Sequence, residues 1–131
     1  MLAFNHAMLY ARNVERALRF YRRLGFRLIE KFPARGGGGY ARLRAPRGRA
    51  TLALHKLGEG VRSTRSPGVR LYFETPGLEQ FCRRLAKSGV RFKQKPKRMP
   101  WGWTHAYLDD PDGHEISLYW AGAKRLRKSR F

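Results

Sequence analysis

Hydrophobic and polar positions along the chain follow two rhythms, and the same order of rhythms occurs twice. Val14, Ala17, Leu18, Tyr21 and Leu24 recur at helical spacing behind Asn13, a short polar side chain suited to an N-cap; Gly25 follows where a left-handed residue ends a helix. Leu78, Phe81, Cys82 and Leu85 make a second stripe, with Thr75 and Pro76 as cap and first position and Gly89 as the stop. Around these helices the period drops to two, which predicts strands over 4–11, 26–32, 40–45 and 51–56, and again over 70–75, 90–95, 104–108 and 115–120. The two halves superpose at an offset of 64 residues, as Gly25 and Gly89 illustrate.

Each half therefore reads strand, helix, three strands. The expected class is α+β, with two tandem βαβββ modules over 2–57 and 69–121, joined by a linker over 58–68 within one domain of 1–123. Two segments break the symmetry. The glycine run ending at Gly39 reads as a flexible hairpin connection, and the linker, with Arg62, Ser63, Thr64, Arg65 and Ser66, reads as solvated. A basic tail over 124–131 reads the same way. Asp110, Pro111, Asp112 and Gly113 supply a turn before the last strand.

Composition narrows the classes. A length of 131 residues with 42% hydrophobic side chains suits one core and argues against disorder. No apolar run approaches the roughly 20 residues of a membrane span, and the start at Met1 lacks the basic-then-apolar layout of a signal peptide, so a cytoplasmic protein without membrane contact is expected. Cys82 is the single cysteine, which excludes an intramolecular disulfide and a thiolate metal cluster; its place on the helix stripe makes it a core residue. The charge changes the picture more. Lys and Arg number 29 against 9 Asp and Glu, a formal net charge of +20 that draws phosphates, carboxylates and nucleic acid without specifying a site.

The opening run FNHAMLYARNVERALRFYRRLGF, beginning at Phe4, and the closing run MPWGWTHAYLDDPDGHEISLYW, beginning at Met99, resemble the vicinal oxygen chelate superfamily of glyoxalases, bleomycin resistance proteins and extradiol dioxygenases. The DPDG turn before the final strand is shared with that family, and the likeness spans residues 2–121. It implies a curved mixed sheet around a central cavity. In the family's metalloenzymes four side chains from the first and last strands of each module hold one divalent ion such as Fe, Mn, Ni or Zn, which polarises vicinal oxygens. Those positions fall here on His6, Arg70, Ala53 and Ser117, the last normally a Glu, so one ligand of four remains. A relocated site would draw on His6, His55 and Glu115, with each newcomer displaced by roughly 6 to 7 Å along its strand.

Strand alternation brings His6, Met8 and Tyr10 onto one face with Ala53 and His55, and Arg70 and Tyr72 onto one face with Ser117 and Tyr119. The candidate ligand-binding residues are Arg70, Tyr72, His55, Trp103, His105, Ser117 and Tyr119, with His6 as metal ligand or general base. Trp101 and Trp103 flank Gly102, and such a loop either covers a planar ligand or packs on the sheet. Arg70 either supplies a fixed cation to a carboxylate or phosphate or pairs internally with Glu74 or Glu115. His114 is assigned to the turn. Three functions follow: a metal-free module that binds a small anionic or aromatic molecule, a metal-dependent lyase, isomerase or dioxygenase, and a nonspecific nucleic-acid or polyanion binder. The resemblance also implies a homodimer.

Overall fold

The computed structural model describes residues 1–32, 39–58 and 68–122. Most of the glycine run, most of the linker and the basic tail lie outside the described residues. Two compact units appear: Met1–Arg65 with Pro111–Gly113, and Ser66–Asp110 with His114–Phe131.

In the first unit, β1 (His6–Ala11) is followed by α1 (Val14–Arg23), β2 (Arg27–Phe32), β3 (Tyr40–Arg44) and β4 (Thr51–Lys56), in the sheet order β1-β4-β3-β2. β1 runs parallel to β4, and the other two pairs are antiparallel. Asn13 caps α1 by accepting from the Arg16 amide at 3.0 Å, and Gly25 leaves the helix at φ 101°. Val14, Ala17, Leu18, Tyr21 and Leu24 are all buried, as the stripe predicts, and Leu43, Leu52 and Leu54 bury beneath them. Each Leu so buried contributes about 1.5–3 kcal/mol. β1 starts at His6, two residues after the expected Phe4, because its partner β4 begins at Thr51, opposite His6.

The second unit repeats the scheme with β5 (Arg70–Glu74), α2 (Leu78–Lys87), β6 (Gln94–Arg98), β7 (Thr104–Asp109) and β8 (Glu115–Trp120), in the order β5-β8-β7-β6. The offset of 64 holds for the first residues of four of the five element pairs: His6 and Arg70, Val14 and Leu78, Tyr40 and Thr104, Thr51 and Glu115 all obey it, and only β2 and β6 depart. Strand β6 begins at Gln94, four residues after the expected 90. Val90 still folds back on α2, its amide bonded to the Leu85 carbonyl, and the register slips between Gln94 and Lys97, around Pro96, which has no N–H for a ladder. The cap of α2 also differs from expectation. Thr75 donates its amide to the Tyr119 carbonyl as a further rung of the sheet, so Gly77 takes the N-cap position without any side-chain bond. Leu78, Cys82 and Leu85 are buried against the sheet while Phe81 is half-exposed. No helix among the described residues is long and apolar enough to cross a membrane.

Candidate functional site

In the second unit the two faces of the sheet have opposite chemistry. Ala106, Leu108, Ile116 and Leu118 point toward α2 and are buried, so by alternation His105, Tyr107, Ser117, Tyr119, Tyr72 and Arg70 share the other face. The register sets their order. Tyr119 stands opposite His105, Ser117 opposite both Tyr72 and Tyr107, and Glu115 opposite both Arg70 and Asp109. One end of the face is thus aromatic and the other ionic.

At the aromatic end four rings lie nearly parallel. Trp103 and Tyr119 are 5.5 Å apart at 13°, Tyr119 and His105 5.4 Å at 16°, and His105 and Tyr107 5.7 Å at 17°. Tyr72, 54% exposed, meets His105 and Tyr119 edge-on at 6.2 and 5.9 Å. At the ionic end the Arg70 guanidinium lies over the Tyr107 ring, 4.8 Å from its centroid, and its Nε donates to Glu115 at 3.2 Å. Lys93 bridges Asp109 at 3.0 Å and Glu115 at 3.4 Å. The cluster holds two cations and two carboxylates. A hydrogen bond with Tyr72, and then Glu115, raises the Arg70 pKa; Arg70 and then Lys93 hold the Glu115 carboxyl below its usual range. Beside the cluster opens a cavity of about 200 Å³ lined by Arg70, Lys93, Gln94, Tyr107 and Glu115.

His105 is 3% exposed and is held through both ring nitrogens. Trp101 Nε1–H, which can only donate, reaches His105 Nε2 at 3.2 Å; that nitrogen therefore accepts, and Nδ1–H donates to Ser117 Oγ at 2.8 Å. In this tautomer His105 is no general base toward Ser117, and Ser117, fully buried, supports the ring row without lining it. Burial, followed by the Arg70 charge, lowers the His105 pKa from 6.5. A folded value below the unfolded one means that stability is complete above about pH 6.5 and declines as pH falls below it, because the unfolded chain takes the proton more readily. Thermal melts should show this decline, and His105→Gln should flatten it. An unchanged profile in the variant would assign the decline to another group. The Glu115 contribution is lost in a separate window, below 4.5, so the two are separable.

The face of the first unit carries less chemistry. Met8 stands opposite Ala53 and Tyr10 opposite His55, as alternation predicts. His6 is exposed, its Nδ1 2.6 Å from Asn5 Oδ1, which also accepts from Arg42 Nη2 at 2.8 Å. His55 Nδ1–H donates to the Lys56 carbonyl at 2.7 Å, and its ring meets Tyr10 edge-on.

The relocated metal site does not fit this arrangement. His6 pairs with Thr51 and His55 with Tyr10, which sets the two imidazoles four residues apart along the ladder, roughly 13 Å at about 3.3 Å per residue. Glu115 is engaged by Arg70 and Lys93. The described residues contain no group of three His, Cys, Asp or Glu side chains placed to hold a metal ion. Of the two roles open to Arg70, internal pairing with Glu115 is the one observed, with its guanidinium still bordering the cavity. Trp101, Trp103 and Lys93, which shares Glu115 with Arg70, are members of the site that alternation alone does not find, since all three lie outside the regular strands. Cys82 is buried, and burial, with Glu79 nearby, pushes its thiol up to about 11, which removes it as a nucleophile.

A sequence model described as the Glyoxalase/Bleomycin resistance protein/Dioxygenase superfamily matches residues 3–118. Among solved structures, a glyoxylase/bleomycin resistance protein/dioxygenase domain from Frankia sp. EAN1pec is 20% identical, with a TM-score of 0.77 and 94% of each chain covered. A member of the same superfamily from Sphaerobacter thermophilus DSM 20745 is 26% identical, with a TM-score of 0.72, covering 91% of this chain and 98% of that one. A lactoylglutathione lyase from Agrobacterium tumefaciens is 19% identical, with a TM-score of 0.72, covering 96% and 97%. No curated protein sequence matches the chain.

Proposed function

The chain belongs to the glyoxalase/bleomycin resistance protein/dioxygenase superfamily, and from that premise we propose that it binds a small planar aromatic anion on the open face of its second sheet. One observation carries the reading: the row of near-parallel rings from Trp103 to Tyr107 ends under the Arg70 guanidinium. Rings offer a flat ligand face-to-face or edge contact, and Arg70 offers a carboxylate donors in a planar fork. The carboxylate would replace Glu115 on part of that fork, with Glu115 retained by Lys93. A net charge of +20 speeds the approach of such anions and repels a cationic drug. No step through a metal belongs to this reading, because His6, Ala53, Arg70 and Ser117 do not compose a ligand set.

Titration calorimetry with 2-naphthoate and its uncharged amide tests the proposal. The carboxylate should bind more tightly than the amide. Arg70→Gln should remove that preference, about tenfold or more for a lost charge-assisted bond, and Trp103→Ala should weaken both ligands. Affinities indifferent to both substitutions would sink the reading. Pairing of two chains, with one such face per chain, belongs to the same proposal. Light scattering that returns the mass of a single chain at binding concentrations would remove it.

A further inference from the structure

On the other side of the second sheet lies a groove of about 340 Å³ between α2 and β6 that the ring row does not touch. Cys82, Ala86, Phe92 and Pro96 make its floor, Arg83 and Lys95 stand on its two rims, and Glu79 also lines it. Residues 78–98 contain eight Lys and Arg against one acid, Glu79. Lys93 turns to the opposite face, where it pairs with Asp109 and Glu115; the other seven make no ion pair with any described carboxylate. On α1, Arg16 pairs with Asp112 and Glu15 with Lys31, while Arg19, Arg22 and Arg23 make no ion pair with a described carboxylate and none of the three lines this groove.

We propose that this groove binds single-stranded nucleic acid, with phosphates on the rim residues Arg83 and Lys95 and on Lys87, one helical turn beyond Arg83 on α2, and a base against the half-buried Phe92 ring. The choice rests on charge complementarity and on the floor. Arg83 and Lys95, which outnumber the lining acid Glu79 and make no ion pair with a described carboxylate, match a backbone that carries one negative charge per nucleotide, and an apolar, ring-bearing floor between them matches the bases that alternate with those charges. A duplex hides its base faces, and an acidic peptide has none. The proposal is independent of the small-molecule face, which lies across the sheet and uses other residues.

Fluorescence anisotropy of a labelled oligouridylate across a salt series tests it on the full-length protein. The wild type should bind, with affinity falling linearly in log salt. Arg83→Gln, Lys87→Gln and Lys95→Gln together should weaken binding at least tenfold at about 0.1 M salt and flatten the slope by about 2, at about 0.7 for each phosphate contact on a single strand. A control with the same charge change on α1, Arg19→Gln with Arg22→Gln and Arg23→Gln, should stay within threefold of wild type. Should the triple variant melt early, Lys95→Gln alone, on the exposed edge strand, should still flatten the slope by about 0.7, and Arg83→Lys should keep wild-type affinity. Equal losses in the groove and control variants would overturn the proposal in favour of diffuse attraction. So would a duplex or a polyglutamate of equal length that binds as tightly as the single strand, or an oligouridylate that does not bind at all.

Discussion

Leu118→Ala is expected to lower the unfolding free energy by about 2–5 kcal/mol, a large fraction of the roughly 5–15 kcal/mol that holds a domain of ordinary stability. Leu118 is 2% exposed on β8, the strand between β5 and β7, with Ile116 and Ala106 around it and α2 above. Truncation removes the transfer free energy of three carbons and leaves a cavity that the flanking ladders prevent from collapsing. The effect should reach function, because the neighbours of Leu118 in the chain, Ser117 and Tyr119, carry the opposite face. Chemical denaturation with Trp fluorescence checks this: the midpoint should fall with an unchanged slope, and naphthoate affinity should weaken. A midpoint shift worth less than about 1 kcal/mol would mean that the site repacks, and that β8 is less rigidly held than its burial indicates.

Asp112→Ala should give the next largest loss, about 2–3 kcal/mol. The Asp112 side chain is 1% exposed, its Oδ1 accepts from the Arg12 amide at 2.9 Å, and Arg16 Nη2 lies 3.6 Å away. The half-exposed arginine adds little through screened attraction; the main term is the buried bond from a carboxylate to a backbone amide. Asp112→Asn separates the two, since an amide oxygen still accepts from Arg12 while the charge is gone. The expected order of melting temperatures is wild type, then Asn, then Ala. An Asn variant as unstable as Ala would shift the weight to the ion pair with Arg16.

Both positions show where the sequence was readable. Leu118 and the stripe of α1 follow from periodicity alone, since a buried face repeats every two or 3.6 residues whatever the fold around it. Four of the five pairs of element starts obey the repeat because each module must satisfy the same ladder. Strand β6 escaped because Pro96 carries no amide for pairing, and a bulge is not a periodic signal. The α2 cap escaped because Thr75 was claimed by a strand whose last rung no local pattern announces. In the site, alternation grouped Arg70, Tyr72, Ser117 and Tyr119 on one face, yet it could not separate the exposed members from Ser117 and His105, which their neighbours cover. It left Glu74 and Glu115 both open as the partner of Arg70, since which two side chains meet depends on rotamers and on Lys93 reaching in from just before β6. His6 drew attention through family likeness, while its exposure and its bond to Asn5 are set by where β1 begins.

The slipped register of β6 also bears on how the protein behaves when concentrated. β6 is the outermost strand of its sheet, the place where a neighbouring chain could add a strand of its own and start a fibre. The bulge around Pro96 bends that border out of plane, and Lys95, Lys97 and Arg98 set like charges against any identical strand that approaches. A growing aggregate finds no template there.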